Sequence, residues 1–79
     1  MKGKERTVYQ RIRELRQEKG LNQTQMANIL GMSQTGYSKY ETGENDVPTV
    51  ILIKLAKFYS VSVDYLLNLT DIEDSYPRQ

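Results

Sequence analysis

A short polar run after Ser33 carries the side chains best suited to recognising another molecule. Over residues 34–42, one helical face would hold hydrogen-bonding groups and no acid, namely Gln34, Thr35, Ser38, Lys39 and Thr42. The opposite face would hold Tyr37 and Tyr40, three residues apart and so pointing the same way. A glutamine amide matches the major-groove edge of adenine, and a lysine donates to guanine. The pattern predicts a helix whose back faces a core and whose front is offered outward.

Two short helices joined at a tight corner would hold this polar face in place. Met26 and Leu30 are four residues apart, so they share one face of a helix over residues 23–30. Gly31 follows where a chain leaving a helix turns left-handed, a conformation that glycine adopts without a Cβ clash. Ser33 then serves as the N-cap of the next helix. Residues 23–42 are therefore predicted to form two helices around a fixed turn.

Further start and stop signals predict three more helices. Thr7 with Gln10, and Asn22 with Gln25, have the spacing of a capping box, which marks the starts of the first and second helices. Gly20 ends the first helix.

Downstream of Gly43, which ends the third helix, Pro48 fits the first turn of a fourth helix that runs to Tyr59. Residues 50–59 are so rich in apolar groups that we expect this helix to be the most buried element. Ser62 caps a short fifth helix. The predicted fold is all-α, a compact five-helix bundle.

The composition excludes several classes of chemistry. The 79 residues allow one core, and they include neither Cys nor His, so disulfides, thiolate or imidazole metal sites and catalytic triads are not expected. No signal peptide or membrane-length apolar run is visible. We expect a cytoplasmic, non-enzymatic protein without cofactor, metal or small-molecule effector.

Charge is distributed unevenly along the chain. Residues 1–40 hold eight basic and three acidic side chains, whereas residues 41–79 hold three basic and seven acidic ones. The imbalance fits a face for a polyanion, but on charge alone two solvated runs without a partner explain it equally well. We expect a basic disordered arm at residues 1–6, a folded domain at 7–69 and an acidic flexible tail at 70–79.

The chain resembles the phage-repressor-like (Xre/Cro) family of helix-turn-helix regulators. The residues that carry the resemblance are Gln23, Met26, Ala27, Leu30, Gly31, Met32, Ser33, Tyr37, Tyr40, Glu41 and Gly43, with the runs at 47–48, 52–56 and 61–67. Spacing and residue type agree from about residue 12 to residue 69 without a gap. The resemblance implies a lambda-repressor-like DNA-binding domain, with its helix-turn-helix at helices 2 and 3, and double-stranded DNA as the partner.

The same resemblance implies roles for individual side chains. Helix 3 would read bases in the major groove through Gln34, Thr35, Ser38 and Lys39. The backbone phosphates would be contacted by Gln23, Arg16, Thr42 and Asn22. Arg16 would also pair with Glu41 and so fasten helix 3 to helix 1. An ordinary solvated helix face and an exposed ion pair of little energetic worth are the plainer alternatives. Tyr37 and Tyr40 are expected in the core, with their hydroxyls at its rim for water or phosphate.

A homodimer on a palindromic operator completes the hypothesis, because one recognition helix reads only a few base pairs. The resemblance places its contact near helix 5, through Tyr65, Leu66 and Leu69, although these residues could instead cover the domain's own core. The acidic loop 44–46 departs from the family, in which it is often basic. The leading interpretation is a transcriptional repressor, and the second is an antitoxin-type module whose partner is a protein.

Overall fold

Five helices follow one another in the computed structural model, which describes residues 7–71. They are α1 (Val8–Glu18), α2 (Gln23–Leu30), α3 (Gln34–Thr42), α4 (Thr49–Tyr59) and α5 (Val63–Leu66). Within that range there is no strand, and the predicted all-α five-helix fold is confirmed. Each helix there is too short or too polar to cross a bilayer. The expected arm at 1–6 and residues 72–79 of the expected tail lie outside the described residues.

Side-chain caps start four of the helices where the sequence predicts them. The Thr7 hydroxyl accepts from the Gln10 backbone N–H at 3.3 Å, while the Gln10 side chain accepts from the Thr7 N–H at 3.0 Å. Asn22 and Gln25 form the same reciprocal pair at 2.8 Å each, and serines cap α3 and α5. Pro48 is the N-cap of α4 and lies one residue before the predicted first turn. Its ring fixes φ there but offers no side-chain hydrogen bond.

Left-handed residues end the helices and aim the chain at the next one. Gly31, at φ 74°, lets Met32 N–H donate to Ala27 O at 2.9 Å, which is the Schellman closure. Ser60 and Asn68 adopt the same conformation after α4 and α5 although neither is glycine. The turn between α2 and α3 is therefore closed by backbone groups.

The core lies where α1, α2 and α3 meet α4 and α5. Five large side chains are essentially inaccessible to solvent, namely Ile12, Met26, Tyr37, Leu55 and Leu66. The Tyr37 and Tyr40 rings pack edge to face, with centroids 6.4 Å apart, so both rings face the core as predicted.

The prediction that α4 is the most buried helix is wrong. Only Leu55, Ala56 and Tyr59 are buried, whereas Val50 is 63 % exposed and Ile53 is 44 % exposed. The prediction counted apolar residues without considering which way each side chain points. Residues 50, 53 and 57 share the helix face opposite residues 55 and 59. Within the described residues no element covers that outer face.

A substitution at Gly43 can test how the loop after α3 is held. Its φ is 84°, and an added Cβ would lie 3.2 Å from the Tyr9 ring, whereas Gly31 has a similar φ and open space around it. Gly31→Ala should cost about 1 kcal/mol of unfolding free energy from backbone strain alone. We expect Gly43→Ala to cost more, by urea unfolding. In a Tyr9→Ala background the two costs should become equal, and a persisting difference would contradict this explanation.

Candidate nucleic-acid interface

The polar front of α3 is accessible, and its aromatic back is not. Gln34, Thr35 and Thr42 are exposed, and Ser38 and Lys39 are partly exposed. Tyr37 is fully buried directly behind them. The four predicted base-contacting residues therefore lie on one surface that begins at the N-terminus of α3, and the core fixes its orientation.

Arg16 and Glu41 are joined by two hydrogen bonds. Arg16 Nε donates to Glu41 Oε2 at 2.7 Å, and Arg16 Nη2 donates to Oε1 at 3.0 Å. The third guanidinium nitrogen donates to Leu21 O at 2.8 Å, so the same side chain also ties down the corner after α1. The Glu41 side chain is inaccessible to solvent and the Arg16 side chain is 12 % exposed. The pair is thus an interior contact between α1 and α3, unlike the exposed ion pair that was the alternative.

The Tyr37 hydroxyl is hydrogen-bonded to the same carboxylate. Its O–H donates to Glu41 Oε2 in the interior, one helical turn along α3. The expectation that this hydroxyl reaches the rim for water or phosphate is wrong. The reason is that residues 37 and 41 are four apart and therefore share a helix face, and a buried carboxylate needs every donor within reach.

These contacts shift the ionisation of the groups involved. Burial raises the pKa of Glu41, but the hydrogen bonds from Arg16, Tyr37 and Gln23 outweigh it, so that its net pKa lies below the usual value. Burial, together with the bond to Glu41, raises the pKa of Tyr37. Burial also raises the pKa of Tyr59 to about 12. At neutral pH the centre of the cluster is therefore one carboxylate surrounded by neutral and cationic donors.

Gln23 links the buried carboxylate to the exposed front of α3. Its Nε2 donates to Glu41 Oε1 at 3.1 Å, and its Oε1 accepts from Gln34 Nε2 at 2.8 Å. The structure thereby brings together a predicted backbone-contacting residue at the start of α2 and a predicted base-contacting residue at the start of α3. Sequence patterns gave no sign of either bond.

The remaining predicted backbone contacts differ in how free they are. Asn22 is exposed, but its Oδ1 is used as the cap of α2, which leaves its amide N–H groups to donate. Thr42 is exposed, and its hydroxyl lies 3.2 Å from both Lys39 O and Glu44 Oε1. A carboxylate beside Thr42 opposes a phosphate at that position.

The acidic loop is fastened to α1. Tyr9 O–H donates to Asp46 Oδ1 at 3.0 Å, and this bond raises the pKa of the tyrosine. The Tyr9 ring also lies against Gly43, at the start of the loop. The loop is thus held close to the C-terminus of α3, with its carboxylates bonded to hydroxyl groups.

The three predicted dimer residues are not equally available. Leu66 is fully buried and Tyr65 is 9 % exposed, whereas Leu69 is 72 % exposed. The Arg11 guanidinium lies 3.8 Å from the centre of the Tyr65 ring and covers it. Two of the three side chains thus belong to the domain's own core, which was the alternative role considered for them.

Sequence reasoning missed two arginines on α1. Arg13 Nη2 donates to Glu41 O at 3.4 Å, one turn before Arg16, and the i, i+3 spacing of the two arginines was a usable signal. Arg11 is buried and donates to Asn68 Oδ1 at 2.6 Å, a contact across 57 residues that no local pattern indicates. Between residues 7 and 71, no group of His, Cys, Asp or Glu could hold a metal ion.

Comparison with known proteins gives a consistent set of relatives. Residues 12–66 match the family model HTH_3, described as helix-turn-helix. The chain is 42 % identical over 65 residues to the HTH-type transcriptional regulator YobD of Bacillus subtilis, covering 82 % of this chain and 58 % of that protein. It is 40 % identical over 58 residues to the cryptic phage CTXphi transcriptional repressor RstR of Vibrio cholerae, covering 73 % and 52 %. The chain spans about half the length of these curated relatives.

A similar structure is the P22 c2 repressor in complex with a synthetic operator. The TM-score is 0.73 at 28 % identity, and the match covers 80 % of this chain and 96 % of that one.

The ionised state of Glu41 makes the stability of the domain depend on pH. Its folded pKa is lowered, so its contribution is complete above the unfolded value near 4.5 and is lost as the pH falls through the folded value. Glu41→Gln should cost about 3 kcal/mol at pH 7, because it leaves the Arg16 charge unpaired.

Urea unfolding in sulfate, which strengthens burial and keeps weak variants folded, measures this dependence. Wild-type stability should fall more steeply below pH 4.5 than that of Glu41→Gln. The exposed Glu18→Gln serves as the control and should follow the wild type. Parallel curves for all three proteins would contradict the prediction.

Proposed function

Because this chain belongs to the helix-turn-helix family HTH_3, we propose that it is a sequence-specific DNA-binding transcriptional regulator that acts as a repressor. The observation that carries the proposal is the front of α3, a polar surface without acids on a helix whose other face is locked in the core. An α-helix of this kind fits the major groove of B-DNA. The names of RstR and the P22 c2 protein, both repressors, support the direction of regulation.

Base reading falls to the first two turns of α3. Gln34 offers both a donor and an acceptor, which suits adenine, and Lys39 donates to the O6 and N7 atoms of guanine. Thr35 and Ser38 offer hydroxyl groups, and the Thr35 methyl group can contact thymine. Gln34 and Thr35 are exposed and Ser38 and Lys39 are partly exposed, so base edges can reach all four side chains.

Backbone contacts would position α3 in the groove. Asn22 and Gln23 stand at the start of α2, where free backbone N–H groups favour a phosphate. Arg16 keeps its charge at any physiological pH, and its three guanidinium nitrogens are held by Glu41 and Leu21 O. Thr42 is less favourable, because the Glu44 carboxylate is already beside it.

The function proposed is binding, without catalysis. The sequence holds neither His nor Cys, and the polar groups on α3 suit recognition. We infer action in the cytoplasm, where bacterial and phage operators lie, with no cofactor or small-molecule effector.

We further propose that the protein binds as a homodimer on a palindromic operator, with half-sites centred about 34 Å apart. Two copies double the contact that one short helix makes, and so supply the specificity that a genome demands. Leu69 supports this proposal as the accessible member of the original set, whereas Tyr65 and Leu66 lie in the core.

Duplex binding assays separate the readers from the residues that position them. Lys39→Ala should cost about 1–3 kcal/mol on the preferred site, found by selection from a random pool, and should relax preference at one base pair. Asn22→Ser keeps the helix cap but removes the amide donors, so it should weaken binding to all DNA sequences equally.

An equal loss on specific and scrambled DNA for Lys39→Ala would remove that residue from the reading set. Failure of the wild type to bind any duplex in a salt-dependent way would contradict the DNA-binding function. That result would favour the antitoxin-type module, whose partner is a protein.

Sedimentation tests the dimer. At protein excess, a palindromic duplex should carry two chains, and Leu69→Asp should lose the second chain because it places a charge in the contact. Ile53→Asp, on the uncovered face of α4, is the matched control and should keep two. A strict one-to-one complex of the wild type would end the dimer proposal.

A further inference from the structure

The buried carboxylate of Glu41 dictates how the neighbouring amide must point. An ionised carboxylate only accepts hydrogen bonds, and Arg16, Tyr37 and Gln23 all donate to it. If the Gln23 amide were turned round, its carbonyl would face a carboxylate that is inaccessible to solvent, and two acceptors would lie against each other. The Gln23 amide is therefore held with Nε2 toward Glu41 and Oε1 away from it.

The orientation of the Gln23 amide in turn sets the orientation of the exposed Gln34 amide. Because Gln23 presents Oε1, Gln34 must turn its Nε2 inward, and the two atoms lie 2.8 Å apart. Gln34 then has one N–H bound to Gln23, while its second N–H and its Oε1 stay available. A donor beside an acceptor matches N7 and N6 of adenine, whereas O6 and N7 of guanine require two donors.

We propose that Glu41 is a positioning residue for base selection: its charge sets the polarity of Gln23 and then of Gln34, and so selects adenine over guanine at the base pair that Gln34 meets. The inference rests on the DNA-binding function proposed above. It assigns part of the sequence preference to a side chain that is inaccessible to solvent and touches no base.

Changing the middle member of the relay should change the preferred base. In Gln23→Lys the new side chain only donates, so it can still bind Glu41 but offers Gln34 no acceptor. Gln34 is then expected to turn its Oε1 inward and present its Nε2 with both N–H groups outward. The adenine-over-guanine ratio at that base pair should fall below one, a change of at least about tenfold, which is within the discrimination of one bidentate contact.

Two further variants separate this relay from a merely structural role. Gln23→Met removes the amide and leaves the Arg16–Glu41 bonds in place, so the ratio should move toward one while preference at other base pairs stays. In a Gln34→Ala background neither change at Gln23 should alter the ratio. Because each ratio compares two sequences bound by the same protein, a general loss of affinity or the added lysine charge cancels.

A measurement without DNA distinguishes failure of the relay from failure of the proposed function. By NMR, the Gln34 side-chain N–H that is bound to Gln23 should exchange with solvent more slowly in the wild type than in Gln23→Met, with the exposed Gln17 amide as reference. Equal exchange, or a Gln23→Lys protein that keeps the adenine preference, overturns the relay. A protected Gln34 amide in a protein that binds no duplex overturns the proposed function, and with it the base selection.

Discussion

One buried negative charge constrains the first half of the domain. A carboxylate removed from water is tolerated only when donors surround it, because an unmatched buried charge costs several kcal/mol. The Glu41 carboxylate accepts hydrogen bonds from a guanidinium on α1, an amide on α2 and a hydroxyl on its own helix. The three donors fix three helices around a single point.

The helix pattern could be predicted because its causes are local. The capping pairs at Thr7 and Asn22, and the left-handed Gly31, act within a few residues of where they stand. Local signals of this kind remain readable in any tertiary context. The Arg16–Glu41 bonds span 25 residues, and their prediction came from resemblance to a family and from no rule of spacing.

The errors have a common origin, since composition does not say which neighbour covers a face. Residues 50 and 53 are apolar, yet α4 turns them to the surface, while the acidic Glu41 is buried. Likewise the sequence predicted Tyr65 at a dimer contact, but the guanidinium of Arg11, far away in the chain, lies over its ring. The Gln23–Gln34 bond belongs to the same class, because it depends on how two helices meet. A residue's burial is thus a property of the assembled packing, and for polar groups the partners decide it.

Because backbone groups close the turn at Gly31, the exposed positions of α3 differ in how much the fold depends on them. Since that turn is made by main-chain bonds, Thr35 and Ser38 contribute little to holding the helices together. Exchange of such surface residues usually changes stability by less than about 0.5 kcal/mol. A lineage of such proteins can therefore drift toward new target sequences at these positions while the fold stays intact. Gln34 is less free, because its amide is bonded to Gln23, and a change there also removes that link to the buried carboxylate.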